Sequence, residues 1–281
     1  MSCSRITIPT VFKRFNCKIS PFFGYSKASY SNAQPATTID EKDVERYSQL
    51  NKIWWDPLGP VKALHSMNEI RVPFVRDGLV RSAHNVDLKN PLKNLKLLDI
   101  GCGGGILSEE LAKIGAEVTG IDANKEMIDL AKHHSLSNTK LINKPNYSRT
   151  TIEDHVNDHK NYYDGVVASE IIEHVNNPEL FVKASVEVLK PGGKIFFTTP
   201  NRTLMSKIFI IWIAEYVLKA IPKGTHEHNK FVRPGELSVM LEKNNCRVEL
   251  VRGIKYYLLR NKWTFLTSQS SVYALQARKM E

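Results

Sequence analysis

Apolar and polar residues alternate along the chain in blocks that predict strands and helices in turn. The central stretch begins with an apolar run at Leu95–Ile100 and continues through a helical pattern at Gly104–Ile114. A second apolar run at Glu117–Ile121 and another helix at Lys125–His133 follow. Strands that alternate with helices of this length form a parallel sheet with helices on its faces. The pattern therefore predicts an α/β core.

The same alternation extends to the end of the chain. Further strands are predicted at 140–143, 165–168, 194–199, 247–253 and 272–276, and further helices at 176–189 and 234–243. Counted from Leu95, the first five strands of the chain should be parallel. We therefore expect an α/β fold with a doubly wound, mostly parallel sheet of seven strands.

Two helices are predicted ahead of this core. Apolar residues three or four apart favour an amphipathic helix from Asp40 to Trp55, which ends before Pro57. A second helix should span His65–Leu79, and Pro73 should kink it or split it in two.

Composition bounds the class of protein. The chain has 281 residues, of which 42% are hydrophobic and 24% charged, as in soluble globular proteins. Its cysteines, at positions 3, 17, 102 and 246, are too far apart for a C-x-x-C metal or redox pair. The mature protein should work in a reducing compartment.

Charge is concentrated at the start of the chain. Residues 1–39 hold five basic residues and no acidic one, which is half of the net charge of +10. The segment is rich in Ser, Thr and aromatic residues and lacks a secretory apolar core, which is typical of a mitochondrial presequence. We expect a presequence over 1–36, cleaved near 28–38, ahead of a domain over 40–281. The alternative is a basic tail that binds nucleic acid or anionic lipid. The domain itself keeps only 34 basic against 29 acidic residues, which argues against a nucleic-acid partner or a scaffold role on RNA.

A glycine-rich turn, Gly101–Gly105, follows the first core strand and opens a helix. Backbone amides at such a turn face a ligand, and glycine permits close approach, so a nucleotide-like cofactor is expected at Gly101 and Gly103. Asp99 lies two residues before the turn, where its carboxylate would repel a pyrophosphate and attract a cation. S-adenosylmethionine carries an ammonium and a sulfonium and no phosphate, so it fits both features.

Asp122 ends the second strand, 21 residues after Gly101, where a carboxylate accepts hydrogen bonds from both ribose hydroxyls of a cofactor. Dinucleotide enzymes share this layout, and an NAD-dependent reductase is the competing interpretation. It is disfavoured because Ile106 stands where the third glycine of the dinucleotide fingerprint belongs, and because Asp99 is acidic.

Ser169, Glu170, Glu173 and His174 follow the fourth strand, at the sheet edge where open α/β folds bind ligands. If this segment begins a helical turn, the two carboxylates and the imidazole share a face and suit Mg²⁺, Mn²⁺ or Zn²⁺. A metal bound by adjacent phenolic hydroxyls lowers their pKa. The alternatives are a metal-free general base, His174, oriented by Glu173, and a solvated carboxylate pair with a capping histidine. The histidines at 155 and 159 are expected to face solvent.

Two motifs carry a family resemblance. The stretch Leu98–Asp122 resembles the first two motifs of the Rossmann-like class I S-adenosylmethionine-dependent methyltransferases, and Lys190–Gly193 resembles their fifth-strand signature. From about residue 45 to 260 the chain also resembles the ubiquinone biosynthesis O-methyltransferases. That match rests on Trp54-Trp55-Asp56, Gly59-Pro60, Leu64-His65, Arg71, the Glu-x-x-Glu-His sequence, Pro222–His226, Lys230-Phe231, Pro234 and Glu236-Leu237.

The resemblance implies O-methylation of polyprenylated dihydroxybenzoate and demethylubiquinol intermediates; another catechol-like substrate is the alternative. It implies a peripheral enzyme on the matrix side of the mitochondrial inner membrane, within a multi-enzyme complex. It implies contacts with S-adenosylmethionine from Arg71, Gly101, Asp122 and Ser169, to which the turn adds Asp99 and Gly103. It assigns catalysis and a divalent metal, Mg²⁺ first, to Glu170, Glu173 and His174.

The most apolar stretch of the chain, Thr203–Ile221, is predicted to form a helix. Its uninterrupted apolar run, Ile208–Ala214, is too short to span a bilayer, and its charged residues fall on one helical face. This pattern predicts an inserted helix that lies in the membrane interface and contacts anionic lipid. The alternative is a helix packed on the sheet.

Overall fold

The alternating pattern forms one eight-stranded sheet in the computed structural model, which describes residues 38–40, 44, 48, 51–80, 87–141, 143–203, 206 and 230–281. The strands are β1 (Lys96–Ile100), β2 (Glu117–Asp122), β3 (Asn146–Arg149), β4 (Tyr163–Ser169), β5 (Leu189–Pro200), β6 (Cys246–Tyr257), β7 (Lys262–Leu266) and β8 (Val272–Lys279). Their order in the sheet is β3-β2-β1-β4-β5-β8-β6-β7.

Five strands are parallel, as predicted. β1 pairs with β2 and β4, β2 with β3, and β4 with β5. β8 is antiparallel to β5 and β6, and β6 is antiparallel to β7. The carboxyl ends of β1, β2 and β4 therefore lie at one edge of the sheet, which is where open α/β folds bind their ligands.

Helices cover both faces of the sheet. They are α1 (Lys62–Val80), α2 (Ile106–Lys113), α3 (Lys125–Ser137), α4 (Ile152–His155), α5 (Pro178–Glu187) and α6 (Pro234–Lys243). Neighbouring β1 residues point to opposite faces: Leu97 packs in the core with Met67 of α1, and Leu98 in the core with Phe181 of α5. The doubly wound arrangement is confirmed.

The seven-strand prediction is wrong by one, because β7 pairs with β6 at the edge of the sheet. The third strand is also misplaced: Lys140 and Leu141 do not belong to it, and β3 begins at Asn146. Only Tyr147 of β3 is buried, so this edge strand lacks the apolar run that marks the central ones. Periodicity alone therefore missed its position.

The N-terminal and inserted helices are described only in part. α1 is a single helix that continues through Pro73, so of the two effects predicted for this proline, a kink or a split, the split does not occur. Val44 and Ser48 are helical, and Asn51–Ile53 form a 3-10 turn. The predicted helix at Thr203–Ile221 lies outside the described residues except for two positions. Within the described part of the chain no helix is long and apolar enough to cross a membrane.

Candidate active site

The glycine turn between β1 and α2 adopts a conformation that requires glycine at two positions. Gly101 and Gly103 have φ values of 69° and 52°, in the left-handed region. A Cβ on Gly101 would lie 2.8 Å from the Ile171 side chain, and one on Gly103 would lie 2.7 Å from the Trp54 ring. Close packing and backbone geometry together explain these glycines.

Asp122 lies at the end of β2 and is joined to the turn. Its Oδ2 accepts a hydrogen bond from the Gly103 amide at 2.9 Å, and its Oδ1 accepts one from the Asn124 amide at 2.8 Å. Burial raises the pKa of Asp122 above its ordinary value, and these amides oppose the rise. Each carboxylate oxygen keeps a lone pair, so the group can still accept two ribose hydroxyls.

Asp99 lies in β1 with only 2% of its surface exposed. Its Oδ2 accepts a 2.6 Å hydrogen bond from the Ser108 hydroxyl at the start of α2. Burial raises the pKa of Asp99 to about 6, and Arg71 opposes the rise. At neutral pH the site therefore contains a buried negative charge, which suits a cationic ligand.

Arg71 reaches this site from α1, and its guanidinium is already engaged by the protein. Nε and Nη2 donate to the Asn68 side chain, Nη2 also donates to the Leu64 carbonyl at 2.8 Å, and Nη1 donates to Ser169 Oγ at 2.9 Å. Desolvation lowers the pKa of Arg71 to about 10. Four of its five N–H groups are used in these bonds, so its fork cannot grip a ligand carboxylate unless they rearrange.

A single cavity brings the predicted residues together. It is lined by Arg71, Asp99, Gly101, Gly103, Asp122, Ser169, Glu170 and His174, from α1 and the ends of three parallel strands. Glu173 does not line it. Ser169 Oγ lies 2.7 Å from Thr198 Oγ1 of β5, so neighbouring strand ends are hydrogen bonded to each other here.

The Glu-x-x-Glu-His segment is not arranged as predicted. Glu170 has a positive φ of 54°, and the helical turn that follows is a 3-10 turn confined to Ile172–His174. The three side chains therefore do not share one face of a helix. Among the described residues no three His, Cys, Asp or Glu side chains are grouped to hold a metal ion.

Glu170 nevertheless has an unusual environment. Its Oε1 is buried and has no hydrogen-bond partner, and its backbone amide donates to the Thr198 carbonyl at 2.8 Å. Burial and repulsion from Glu173 raise the pKa of Glu170 well above its ordinary value. Glu173 is 5% exposed, and its Oε2 accepts a 2.9 Å hydrogen bond from Thr199. A bound cation would offset both the repulsion and the missing partner.

Sequence reasoning did not assign several residues that build the site. Trp54 lines the cavity, and Trp55 donates to the Gly104 carbonyl at 3.0 Å while its ring stacks on His134 at 3.4 Å. Asn124 also lines the cavity and caps α3 through the Met127 amide. The Asn124 cap was detectable, because asparagine just before a helical pattern is a start signal.

The prediction that both histidines near α4 face solvent is wrong for His155. This side chain is 8% exposed, its Nε2 lies 2.8 Å from the Tyr163 hydroxyl, and its ring stacks on His159 at 3.9 Å. The pair lies outside the cofactor cavity.

The sheet order, the glycine turn and the acidic ends of β1 and β2 define a class I S-adenosylmethionine-dependent methyltransferase. A family described as "Methyltransferase domain" matches residues 67–251. A solved magnesium protoporphyrin IX methyltransferase from Synechocystis PCC 6803, with bound S-adenosylmethionine, has the same fold. The TM-score is 0.56 at 16% identity, over 86% of this chain and 98% of that one.

Curated relatives define the family more narrowly. The chain is 40% identical over 265 residues to the mitochondrial ubiquinone biosynthesis O-methyltransferase of Rattus norvegicus, which covers 94% of this chain and 76% of the relative. It is also 40% identical over 235 residues to the ubiquinone biosynthesis O-methyltransferase of Pelagibacter ubique, at 84% and 95% coverage. The chain belongs to the ubiquinone biosynthesis O-methyltransferase family. The mitochondrial names of its rat, mouse and human relatives indicate a mitochondrial location.

Proposed function

We propose that the chain methylates phenolic hydroxyls of polyprenylated dihydroxybenzoate and demethylubiquinol intermediates, with S-adenosylmethionine as the methyl donor. The observation that carries this proposal is the single cavity in which the glycine turn, Asp99, Asp122 and the Glu-x-x-Glu-His segment meet. The names of the relatives supply the substrate class.

The cofactor is placed by the residues at the carboxyl ends of β1 and β2. Asp122 accepts the ribose hydroxyls, and the turn at Gly101 and Gly103 lets the cofactor approach the backbone. Asp99 attracts the positively charged methionine end. Arg71 holds Ser169 and the Leu64 carbonyl, and its fifth N–H, which bonds to none of the described residues, would donate to the methionine carboxylate.

The transfer itself is a substitution at the methyl carbon. A lone pair of the phenolate oxygen forms the new C–O bond while the C–S bond breaks, and its electron pair stays on the sulfur of S-adenosylhomocysteine. The acceptor hydroxyl must therefore lose its proton before or during the attack. Alignment of the oxygen with the methyl group and exclusion of water from the cavity supply most of the acceleration.

We further propose that Glu170, Glu173 and His174 hold a divalent metal, Mg²⁺ first. The donor set fits such an ion in its chemistry, because it offers two carboxylates and one imidazole, and because Glu170 Oε1 is buried without a partner. The side chains do not form a three-ligand group in the structure, so we expect them to come together on metal binding. The metal would supply acidity to the acceptor hydroxyl.

A methyl-transfer assay with a short-chain dihydroxybenzoate analogue tests both proposals. We expect radiolabelled methyl from S-adenosylmethionine to reach the phenolic oxygen, and we expect an exhaustive chelator to reduce turnover at least tenfold, with recovery on adding Mg²⁺. Absence of transfer to any catechol would contradict the function. Full activity after chelation would instead favour His174 as a metal-free base.

The location within the organelle and the partners are also proposals. We place the enzyme on the matrix side of the inner membrane, because a polyprenyl substrate resides in the bilayer. The basic and apolar pattern of Thr203–Ile221 supports contact with anionic lipid. Association with other enzymes of the pathway follows from the same need to reach membrane-bound intermediates.

A further inference from the structure

Thr38–Asp40, here called the strap, forms part of the cavity wall. The strap has neither helical nor strand structure, yet all three residues line the cofactor cavity, and only 4% of Thr38 is exposed. An irregular segment at one end of a folded unit usually frays unless other groups hold it. The strap is therefore placed by contacts rather than by its own secondary structure.

Several polar contacts hold the strap on both sides. The Thr38 amide donates to Glu153 Oε1 of α4 at 2.6 Å. Asn176, just before α5, donates its backbone amide to the Thr38 carbonyl at 2.9 Å and its side-chain amide to the Ile39 carbonyl at 2.7 Å. Consecutive residues of the strap are thus tied to two different elements.

An ion pair ties the third residue. Lys230 Nζ lies 2.6 Å from Asp40 Oδ2, and the two side chains are 27% and 19% exposed. Because both side chains are partly buried, water and salt screen the attraction between them less than they screen an exposed pair. The pair connects the strap to a residue 190 positions later in the chain, which no local pattern reveals.

Val44, four residues after the strap, also lines the cavity, as does Asn124. The Asn124 side-chain amide donates to the Val44 carbonyl at 2.6 Å and to Ser48 Oγ at 2.9 Å. The Asn124 backbone amide donates to Asp122. Asn124 thereby links Val44 and Ser48 to the carboxylate proposed to hold the ribose.

We propose that the strap is the outer wall of the S-adenosylmethionine site, and that the Asp40–Lys230 ion pair sets the rate at which the cofactor leaves. Lys230 and Asn176 act as positioning residues, since they work through the strap. The inference rests on the proposed function only in taking S-adenosylmethionine as the occupant. Detachment of the strap would open this side of the cavity, so weaker attachment of the strap should speed dissociation of the cofactor.

Stopped-flow dissociation of radiolabelled or fluorescent S-adenosylmethionine from the full chain tests the proposal. Lys230→Met keeps the aliphatic stem and removes the charge, and Asp40→Asn removes the opposite charge. We expect each variant to raise the dissociation rate and the KM for S-adenosylmethionine about fivefold, which corresponds to about 1 kcal/mol. The KM for the aromatic acceptor and the melting temperature should change little.

The double variant and a matched control make the test decisive. If the pair acts through one contact, Asp40→Asn combined with Lys230→Met should be no faster than either single variant. Lys243→Met breaks an exposed pair with Glu179 at 3.4 Å and should leave the rate unchanged. Dissociation within twofold of the parent in both single variants, or additive effects in the double variant, would overturn the proposal. Failure of the parent chain to bind S-adenosylmethionine would count against the proposed function instead.

Discussion

Asp99 is a buried carboxylate of the cavity and Asp122 a half-buried one, and their surroundings give them different roles. Asp122 accepts hydrogen bonds from two backbone amides, whereas Asp99 accepts one from the Ser108 hydroxyl. The first can act by hydrogen bonding and the second by charge. Substitutions of Asp122 and of Asp99 separate the two roles.

Asp122→Ala should weaken S-adenosylmethionine binding at least tenfold, because it removes the acceptor for two ribose hydroxyls. Asp122→Asn keeps one carbonyl acceptor and should lose less affinity for S-adenosylmethionine than Asp122→Ala does. Calorimetric titration measures both affinities, and thermal unfolding checks that the fold persists. Unchanged affinity in a folded Asp122→Ala protein would remove this residue from the site.

Asp99 should make cofactor binding depend on pH. Because its pKa is raised to about 6, lowering the pH from 7 to 5 neutralises the carboxylate and should reduce S-adenosylmethionine affinity by about tenfold. A carboxylate whose folded pKa is raised destabilises the fold: the cost grows as the pH rises from about 3.8 to about 6 and is constant above that. Asp99→Asn should therefore bind weakly at pH 7, lose the pH dependence, and unfold at an equal or higher temperature. A parent affinity that stays constant from pH 7 to 5 would refute the role of this charge.

At the scale of elements, α4 ends at His155, whose buried ring stacks on the half-buried His159 and contacts Tyr163 at the start of β4. Burial and the neighbouring His159 lower the pKa of His155 to about 4, against an ordinary value of 6.5. Between pH 6.5 and 4, His155 is therefore protonated in the unfolded chain but neutral in the folded chain. Folding stability contributed by the neutral ring is present above pH 6.5 and is lost as the pH falls toward 4.

Urea unfolding at pH 7 and pH 5 measures this contribution. We expect the free energy of unfolding of the parent to be lower at pH 5 than at pH 7. This decrease should exceed the decrease for His155→Gln by about 1 to 2 kcal/mol. Glutamine can still bond the Tyr163 hydroxyl, so the comparison isolates the protonation. Equal pH dependence in the two proteins would show that His155 titrates normally.

At the scale of the whole molecule, the proposed substrate has a prenyl tail that lies in a bilayer, so we expect the cavity to be brought to the membrane surface. Ile208→Ser combined with Trp212→Ser should reduce binding to cardiolipin-containing vesicles about tenfold and lower activity on long-prenyl substrates. Activity on a soluble short-chain analogue should be retained, since the chemistry is untouched.

Val239→Ser is the matched control, because it removes an apolar side chain that is 51% exposed on α6. It should leave vesicle binding unchanged. If the double variant binds vesicles normally but unfolds at a markedly lower temperature, Thr203–Ile221 is a core element and the membrane proposal is wrong.

The central strands and the glycine turn were readable from the sequence, because burial on both faces imposes apolar runs and a tight turn imposes glycine. The acidic residues at the ends of β1 and β2 could be assigned for the same reason, since parallel strands bring their carboxyl ends to one edge. The Glu-x-x-Glu-His segment was also found, but its shape was not. Glu170 has a positive φ, which no residue spacing encodes.

The sequence by itself determined the alternating elements, the fold class and the chemistry at the strand ends, because these depend on residues that are neighbours along the chain. Only the tertiary structure decided which distant residues meet there. Arg71 donates to Ser169 across 98 positions, and Asp40 pairs with Lys230 across 190. The order of strands and the packing of helices set such contacts, and a local pattern of apolar and polar positions does not reveal them.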